Sequence, residues 1–277
     1  MCLSDFVVIS VNLSVMKHRN LFFNFVFSFL GGLLLLFIVL PLVSTLLGTT
    51  PKGFWLALTD PEVLRSIGLT FSAAAGATGL ALLTGVPLAY LLARYQFRGK
   101  RLVEALVNLP IVIPHTAAGI ALLLVFGRRG LLGQWLTPLG ITFTDNFGGI
   151  LVGMLFVSLP FLVNMSRESF ALVDDELERV AMIDGATAWG AFWHVTLPLA
   201  WRGVLGGAVM MWARGISEFG AVVILAYHPK IVPVLVYERF NGFGLGAAQP
   251  VAMLLIIVAI VVFVFLRLTL LPEGSNQ

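Results

Sequence analysis

Arg214 and Glu218 are the residues whose chemistry most needs explaining. They stand four apart in an otherwise apolar run, Trp212-Ala213-Arg214-Gly215-Ile216-Ser217-Glu218-Phe219-Gly220. Opposite charges at that spacing share one face of a helix and can pair. A charge at the centre of a membrane helix costs about 2.5–3.5 kcal/mol on insertion scales, so the pair must face a pore, a partner helix or each other. Two readings follow. The pair is a structural lock on a bundle, or it lines a path for an anion, to which Ser217 adds a hydroxyl. Gly215 and Gly220 leave room for a close neighbouring helix. A second polar point lies in Leu109-Pro110-Ile111-Val112-Ile113-Pro114-His115-Thr116. There Pro114, His115 and Thr116 follow a double proline break and could line the outer part of the same path. A lone histidine at a helix break is also the usual place for a hydrogen-bonded structural imidazole.

Catalytic patterns are missing. Gly99-Lys100 runs into Arg101 and lacks the upstream glycine of a phosphate loop. Gly242, Gly244 and Gly246 alternate in what reads as an external loop, where they act as flexible punctuation. The 4 histidines are scattered without metal-ligand spacing. No Ser–His–Asp set or carboxylate pair is visible. The expectation is a chain with no catalytic residue, metal or cofactor of its own.

The longest polar passage, Asp175 to Pro198, reads as a helix–glycine–helix knob between two apolar spans. Asp175 and Glu178 have the spacing of an N-cap with a reach-back carboxylate. Leu177, Val180, Ala181, Met182 and Ile183 give the helix an apolar face. Gly185 suits a left-handed C-cap. Thr187 can cap a second short helix carrying Trp189, Phe192 and Trp193. Pro198 fits the first turn of the next span, where a missing N–H is harmless.

At these residues the chain resembles the bacterial and archaeal ABC-importer permeases, whose EAA loop has this form. Gly185, Val195, Leu197 and Pro198 fall in its register. The triplet is Arg179-Val180-Ala181, so only its last alanine matches, and the acid sits one place early at Glu178. The resemblance implies a coupling helix that docks on a separate ATPase subunit, with Glu178, Arg179, Ala181, Asp184, Gly185, Ala186, Leu197 and Pro198 as its residues. The plainer alternative is an amphipathic connector lying on the membrane.

Composition agrees with a membrane protein. Of 277 residues 59% are hydrophobic and 11% charged, against about 25% charged in ordinary globular chains. Cys2 is the single cysteine, so no internal disulfide is possible. A net charge of +3 without a basic stripe excludes a nucleic-acid footprint.

The expected fold is all-α, an integral membrane bundle of six transmembrane helices with a short cytoplasmic coupling-helix insertion. A span needs about 20 apolar residues. The first, Leu21 to Leu47, is too long for a signal-peptide core. The others fall near 66–93, 103–126, 148–166, 199–226 and 249–271. Pro110 and Pro114 are expected to break the third and Pro160 the fourth. Met16 before Lys17-His18-Arg19 reads like a translation start, which would make residues 1–15 an extension or a short surface helix. The domain reading is an N-terminal cytoplasmic segment 1–20, a permease domain 21–271 containing a coupling loop 174–198, and a tail 272–277. The cluster Arg94, Arg98, Lys100 and Arg101 places both termini and the knob in the cytoplasm by the positive-inside rule, although Arg128-Arg129 then falls outside.

Taken together, LPIVIPHTAAGIALLLVFG, the knob, WARGISEFGAVVILAY and PVLVYERF resemble the molybdate/tungstate branch of these permeases. The resemblance implies a homodimer in the cytoplasmic membrane, two ATPase subunits that bind ATP and magnesium, and an extracytoplasmic oxyanion-binding protein. A sulfate or other oxyanion permease is the nearest alternative. An ATP-independent secondary transporter would more often show intramembrane acids and internal repeats, and Glu218 is the only clear acid here.

Overall fold

The computed structural model describes residues 3–270, with side chains from Leu21 to Leu266 and at Leu268. Cys2 and the tail 272–277 lie outside the described residues, as does the side chain of Arg267. The described chain falls into two units, residues 1–50 and 51–277. In the first, the expected N-terminal segment and first span form one helix, α1 (Leu3–Gly48). Its apolar part, Leu21–Gly48, has 28 residues; at about 1.5 Å per residue this exceeds a hydrocarbon core of about 30 Å.

The second unit is built from α2 (Pro51–Thr59), α3 (Pro61–Arg94), α4 (Lys100–Val112), α5 (His115–Phe126) and α6 (Gly133–Leu136). After a 3₁₀ turn at Thr137–Leu139 come α7 (Phe147–Leu172), α8 (Asp175–Ile183) and α9 (Ala188–Ala191). A π turn at Phe192–Thr196 leads into α10 (Leu197–Ile216), followed by α11 (Gly220–Leu225), α12 (Val232–Phe243) and α13 (Leu245–Leu270). No strand occurs among the described residues.

Local chemistry sets the ends of the long helices. Asp60 caps α3 by accepting the Glu62 N–H at 2.8 Å, Pro61 opens the first turn, and Arg94 sits in the last, where the helix dipole favours a cation. Asn146 caps α7 through the Gly149 N–H at 2.9 Å. The core lies where α3, α7 and α10 meet. Ala73, Ala74, Ala77 and Ala81 on α3 are buried against Ile150, Met154 and Leu162 of α7 and Met211 of α10. Small residues along one face let helix backbones approach closely, which drives packing in lipid. A second cluster, including Leu92, Phe170, Phe192 and Val204, closes the end of the bundle that carries the knob.

Several expected spans are corrected. The third is two helices, α4 and α5, bent by 116°. The break falls at Ile113 and Pro114, while Pro110 remains inside α4 and buried. The fourth is unbroken: α7 runs through Pro160, which is buried among neighbouring helices. A proline removes one backbone hydrogen bond, but a helix enclosed by others tolerates that loss. The fifth stops at Ile216, and α11 starts after a turn at Ser217–Phe219. The Glu218 carboxylate causes this restart by accepting the Ala221 N–H at 2.9 Å, one of the donors a new helix leaves orphaned. The supposed external loop around Gly242 holds α12; Gly242 lies within it, Gly244 ends it with φ +80°, and Gly246 belongs to α13.

Candidate functional site: a charge cluster at two helix breaks and a helix–glycine–helix knob

The two breaks touch. A Cβ on Gly220, at the start of α11, would lie 2.7 Å from the His115 Cβ at the start of α5. Glu218 is fully buried there, at 0% exposure. Its Oε2 lies 3.0 Å from His115 Nδ1 and 3.1 Å from Arg214 Nη2. No hydrogen bond reaches Oε2, so the charge of Arg214 is what holds it. Arg214 Nη2 also lies 2.8 Å from His115 Nδ1, and Nη1 donates to Ser217 Oγ at 3.2 Å. Arg214 and His115 keep 22% and 35% of their side chains exposed, while the acid is buried behind them. Ser217, Pro114 and Thr116 are exposed at the same place. Gly215 is buried, with its Cβ position 3.3 Å from the Ala74 methyl group. The expected pore residues are thus gathered at one point, although Glu218 pairs with Arg214 from a turn and not from a helical face.

This arrangement offers an anion a guanidinium, an imidazole and the Thr116 hydroxyl, since the Ser217 hydroxyl already donates to the Arg214 carbonyl at 2.9 Å. It holds no nucleophile–base pair.

The knob joins α7 to α10. Its capping differs from expectation. Asp174 is the N-cap of α8, accepting the Glu176 N–H at 2.9 Å, because Asp175 has already turned helical and pairs with Arg179. Arg179 pulls the Asp175 carboxyl below its ordinary range, and Asp175 raises the guanidinium in return. Glu178 does not reach back to its own helix start. It turns inward, 8% exposed, and meets Arg94, Tyr90 and Thr196.

Gly185, at φ +99°, donates to the Met182 carbonyl at 3.1 Å, and Ala186 donates to Ala181 at 2.9 Å. These two bonds close a Schellman motif, which a left-handed glycine permits without strain. Thr187 caps α9 as expected, accepting the Gly190 N–H at 3.1 Å. Leu197 donates to the Phe192 carbonyl across the π turn, and the wider turn absorbs Pro198, which has no N–H to give. Asp184 is exposed and Ala181, Ala186 and Leu197 are half-buried. Ile183 and Trp189 remain 83% and 71% exposed, forming an apolar surface on a polar segment.

Sequence reasoning missed the Glu178 partners, since Tyr90 and Arg94 lie 88 and 84 residues away. It also missed an ion cluster at the other end of α3. There Lys230 pairs with Glu238 at 2.8 Å and Glu62 at 3.2 Å, and Arg239 pairs with Asp60 at 2.6 Å. The only available signal was charge in short polar connections. The Lys230 hydrogen bond lowers the Glu238 carboxyl against burial. Burial pulls the Asp60 carboxyl up, but Arg239 and the Glu62 N–H outweigh it and leave it low. Glu238 in turn raises the Lys230 ammonium. Both depressed carboxyls lend stability that is complete above the ordinary carboxylate range and lost as pH falls through their folded values. The raised lysine lends stability that is lost only as pH rises past about 10. The thermal midpoint in detergent should therefore hold from neutral pH to about pH 5 and drop below about pH 4. Lys230→Ala should flatten that acid limb; an unchanged limb in the variant would assign it to other groups.

Comparison with known proteins decides the family. Residues 85–271 match the family described as binding-protein-dependent transport system inner membrane component. The chain is 43% identical over 260 residues to the molybdate/tungstate transport system permease protein WtpB of Pyrococcus furiosus, covering 93% of this chain and 99% of that protein. The chain belongs to the binding-protein-dependent ABC permeases, in their molybdate/tungstate branch. The permease is also 40% identical over 237 residues to WtpB of Methanocaldococcus jannaschii, covering 85% of this chain and 92% of that protein. It is 32% identical over 242 residues to the sulfate transport system permease protein CysT of Synechocystis sp., covering 85% of each chain. Among solved structures, the permease resembles a bacterial ABC transporter involved in the import of the acidic polysaccharide alginate, with TM-score 0.67 and 18% identity over 87% of this chain and 92% of that chain. At that identity the likeness speaks for the fold alone. The permease is a multi-pass membrane protein and a transport component.

Proposed function

We propose that the permease carries molybdate or tungstate inward across the cytoplasmic membrane, driven by ATP hydrolysis on separate subunits. The observation that carries this reading is the 43% identity over nearly the full length of a protein named for that cargo. The permease domain 21–271 would act as a homodimer with both termini in the cytoplasm. Two ATPase subunits, holding ATP and magnesium, would dock on the coupling loop 174–198, and an extracytoplasmic oxyanion-binding protein would deliver the cargo.

Geometry supports the reading at both ends of the mechanism. The exposed Ile183 and Trp189 give an ATPase subunit an apolar surface to cover. The charge cluster gives a dianion the Arg214 guanidinium, already partly neutralised by Glu218. A weak site suits passage, since a deep one would trap the ion. Tight selection then rests with the binding protein.

The test is co-purification from native membranes. The wild-type chain should bring down an ATPase subunit, and Ile183→Glu, on a side chain that packs little on its own protein, should lose it. If the wild type brings down none, the importer reading fails. The sulfate likeness keeps that oxyanion as the second reading. Uptake of labelled molybdate by membrane vesicles, unaffected by excess sulfate and blocked by tungstate, would exclude it.

A further inference from the structure

Glu178 is the one buried side chain on a helix that is otherwise exposed or half-buried. Its carboxylate gathers donors from two distant stretches of chain. Arg94 Nε donates to Oε1 at 2.9 Å, with Nη2 at 2.7 Å from the same oxygen. Thr196, in the π turn that enters α10, donates to Oε1 at 2.5 Å. Tyr90, one turn before Arg94 on α3, donates to Oε2 at 2.8 Å. Arg94 Nη1 also donates to the Val173 carbonyl at the end of α7, at 2.7 Å. The ends of α3, α7 and α10 are therefore tied to α8 through one acid. The Tyr90 ring packs edge-on against Phe170 and Phe192, with centroids 5.7 Å and 4.9 Å away, so the clasp has an aromatic floor. Both carboxylate oxygens are already engaged, which leaves Glu178 little to offer an external partner.

We propose that Glu178 is a positioning residue that makes the knob and the neighbouring end of α3 move as one body. The proposal rests on the importer reading. The covalent route from α8 to α10 passes through a left-handed glycine and a π turn, whereas the clasp joins α8 directly to α3, one continuous helix that runs through Pro87. Along α3, Ala74 touches Gly215, the neighbour of Arg214. From Tyr90 to Ala74 a helix at about 1.5 Å per residue spans roughly 24 Å. A push on α8 is thus delivered through Glu178, Arg94 and α3 to the helix bearing the charge cluster.

The experiment uses the reconstituted complex of permease, ATPase and binding protein in proteoliposomes, with three readouts: ATPase recovery, ATP turnover, and oxyanion taken up per ATP. In Glu178→Gln, ATPase recovery and ATP turnover should stay within about twofold, while uptake per ATP falls about tenfold or more, within the usual range of coupling between sites. Tyr90→Phe and Thr196→Val, each removing one donor, should show smaller losses of the same kind. They carry the test if Glu178→Gln fails to insert. Unchanged uptake per ATP in the variants would overturn the proposal. So would joint loss of ATPase binding and uptake, which would make Glu178 a docking contact. A wild-type complex without ATPase sinks the importer reading instead, before any variant is compared. Spin labels at Glu176→Cys and Leu91→Cys, in a Cys2→Ser background, give a second readout. Their separation should be the same with and without ATP in the otherwise wild-type chain and should spread in Glu178→Gln. Spread in both would refute the rigid clasp.

Discussion

Arg214→Ala should abolish oxyanion uptake and destabilise the permease by about 3–5 kcal/mol, the cost of stranding one member of a buried ion pair. Glu218 has no access to solvent, and its Oε2 is held by the charge of Arg214 at 3.1 Å, with the His115 ring 3.0 Å away. Without Arg214 the carboxylate keeps a single imidazole, which carries charge only when protonated. A buried acid without a compensating cation must take up a proton or draw in water. Glu218→Ala should be costly for a second reason, because it also orphans the Ala221 N–H that starts α11. The double variant separates the two readings of the pair. With both charges gone no charge is stranded and only the Ala221 N–H loses its partner, so the thermal midpoint in detergent should recover part of the loss seen in Arg214→Ala. If the cluster lines the path, labelled molybdate uptake stays lost in the double variant. If uptake returns along with stability, the pair is a lock on the bundle and the anion passes elsewhere.

What could be read from the sequence follows the range of each interaction. Gly185, Thr187 and Pro198 act on backbone groups within a few residues of themselves, and their roles in the knob were legible. The Arg214–Glu218 pairing was legible for the same reason, but the turn that carries it was not. An apolar run from 199 to 226 gives no sign of a stop, and the stop depends on a glutamate that serves two purposes at once. Long-range partners left no trace. His115 reaches Arg214 across 99 residues, and Glu178 reaches Tyr90 across 88. Two of the three expected proline breaks fail: Pro110 and Pro160 are buried inside continuous helices, whereas Pro114 breaks the third span as expected. Helix α12 was hidden because its 12 residues are too few and too mixed in polarity to mark a span.

Gly220→Ala should destabilise the permease by about 1–3 kcal/mol and lower uptake, although alanine favours a helix by about 0.5–1 kcal/mol over glycine. The added Cβ would stand 2.7 Å from the His115 Cβ and 3.1 Å from both the His115 carbonyl carbon and the Thr116 nitrogen. Two of those three atoms are backbone, so no rotamer change relieves the overlap and α5 must move away from α11. That movement draws His115 away from Glu218 and opens the cluster. Gly68→Ala in α3 is the matched control, because a Cβ there meets nothing within 4 Å. Propensity alone predicts a higher thermal midpoint for both variants. Contact between the two helix breaks predicts a rise for Gly68→Ala and a fall for Gly220→Ala. Opposite signs from the same chemical change would tie the charge cluster to the close crossing of α5 and α11; a rise in both would mean that the breaks do not press on each other, and that His115 is placed by something other than Gly220.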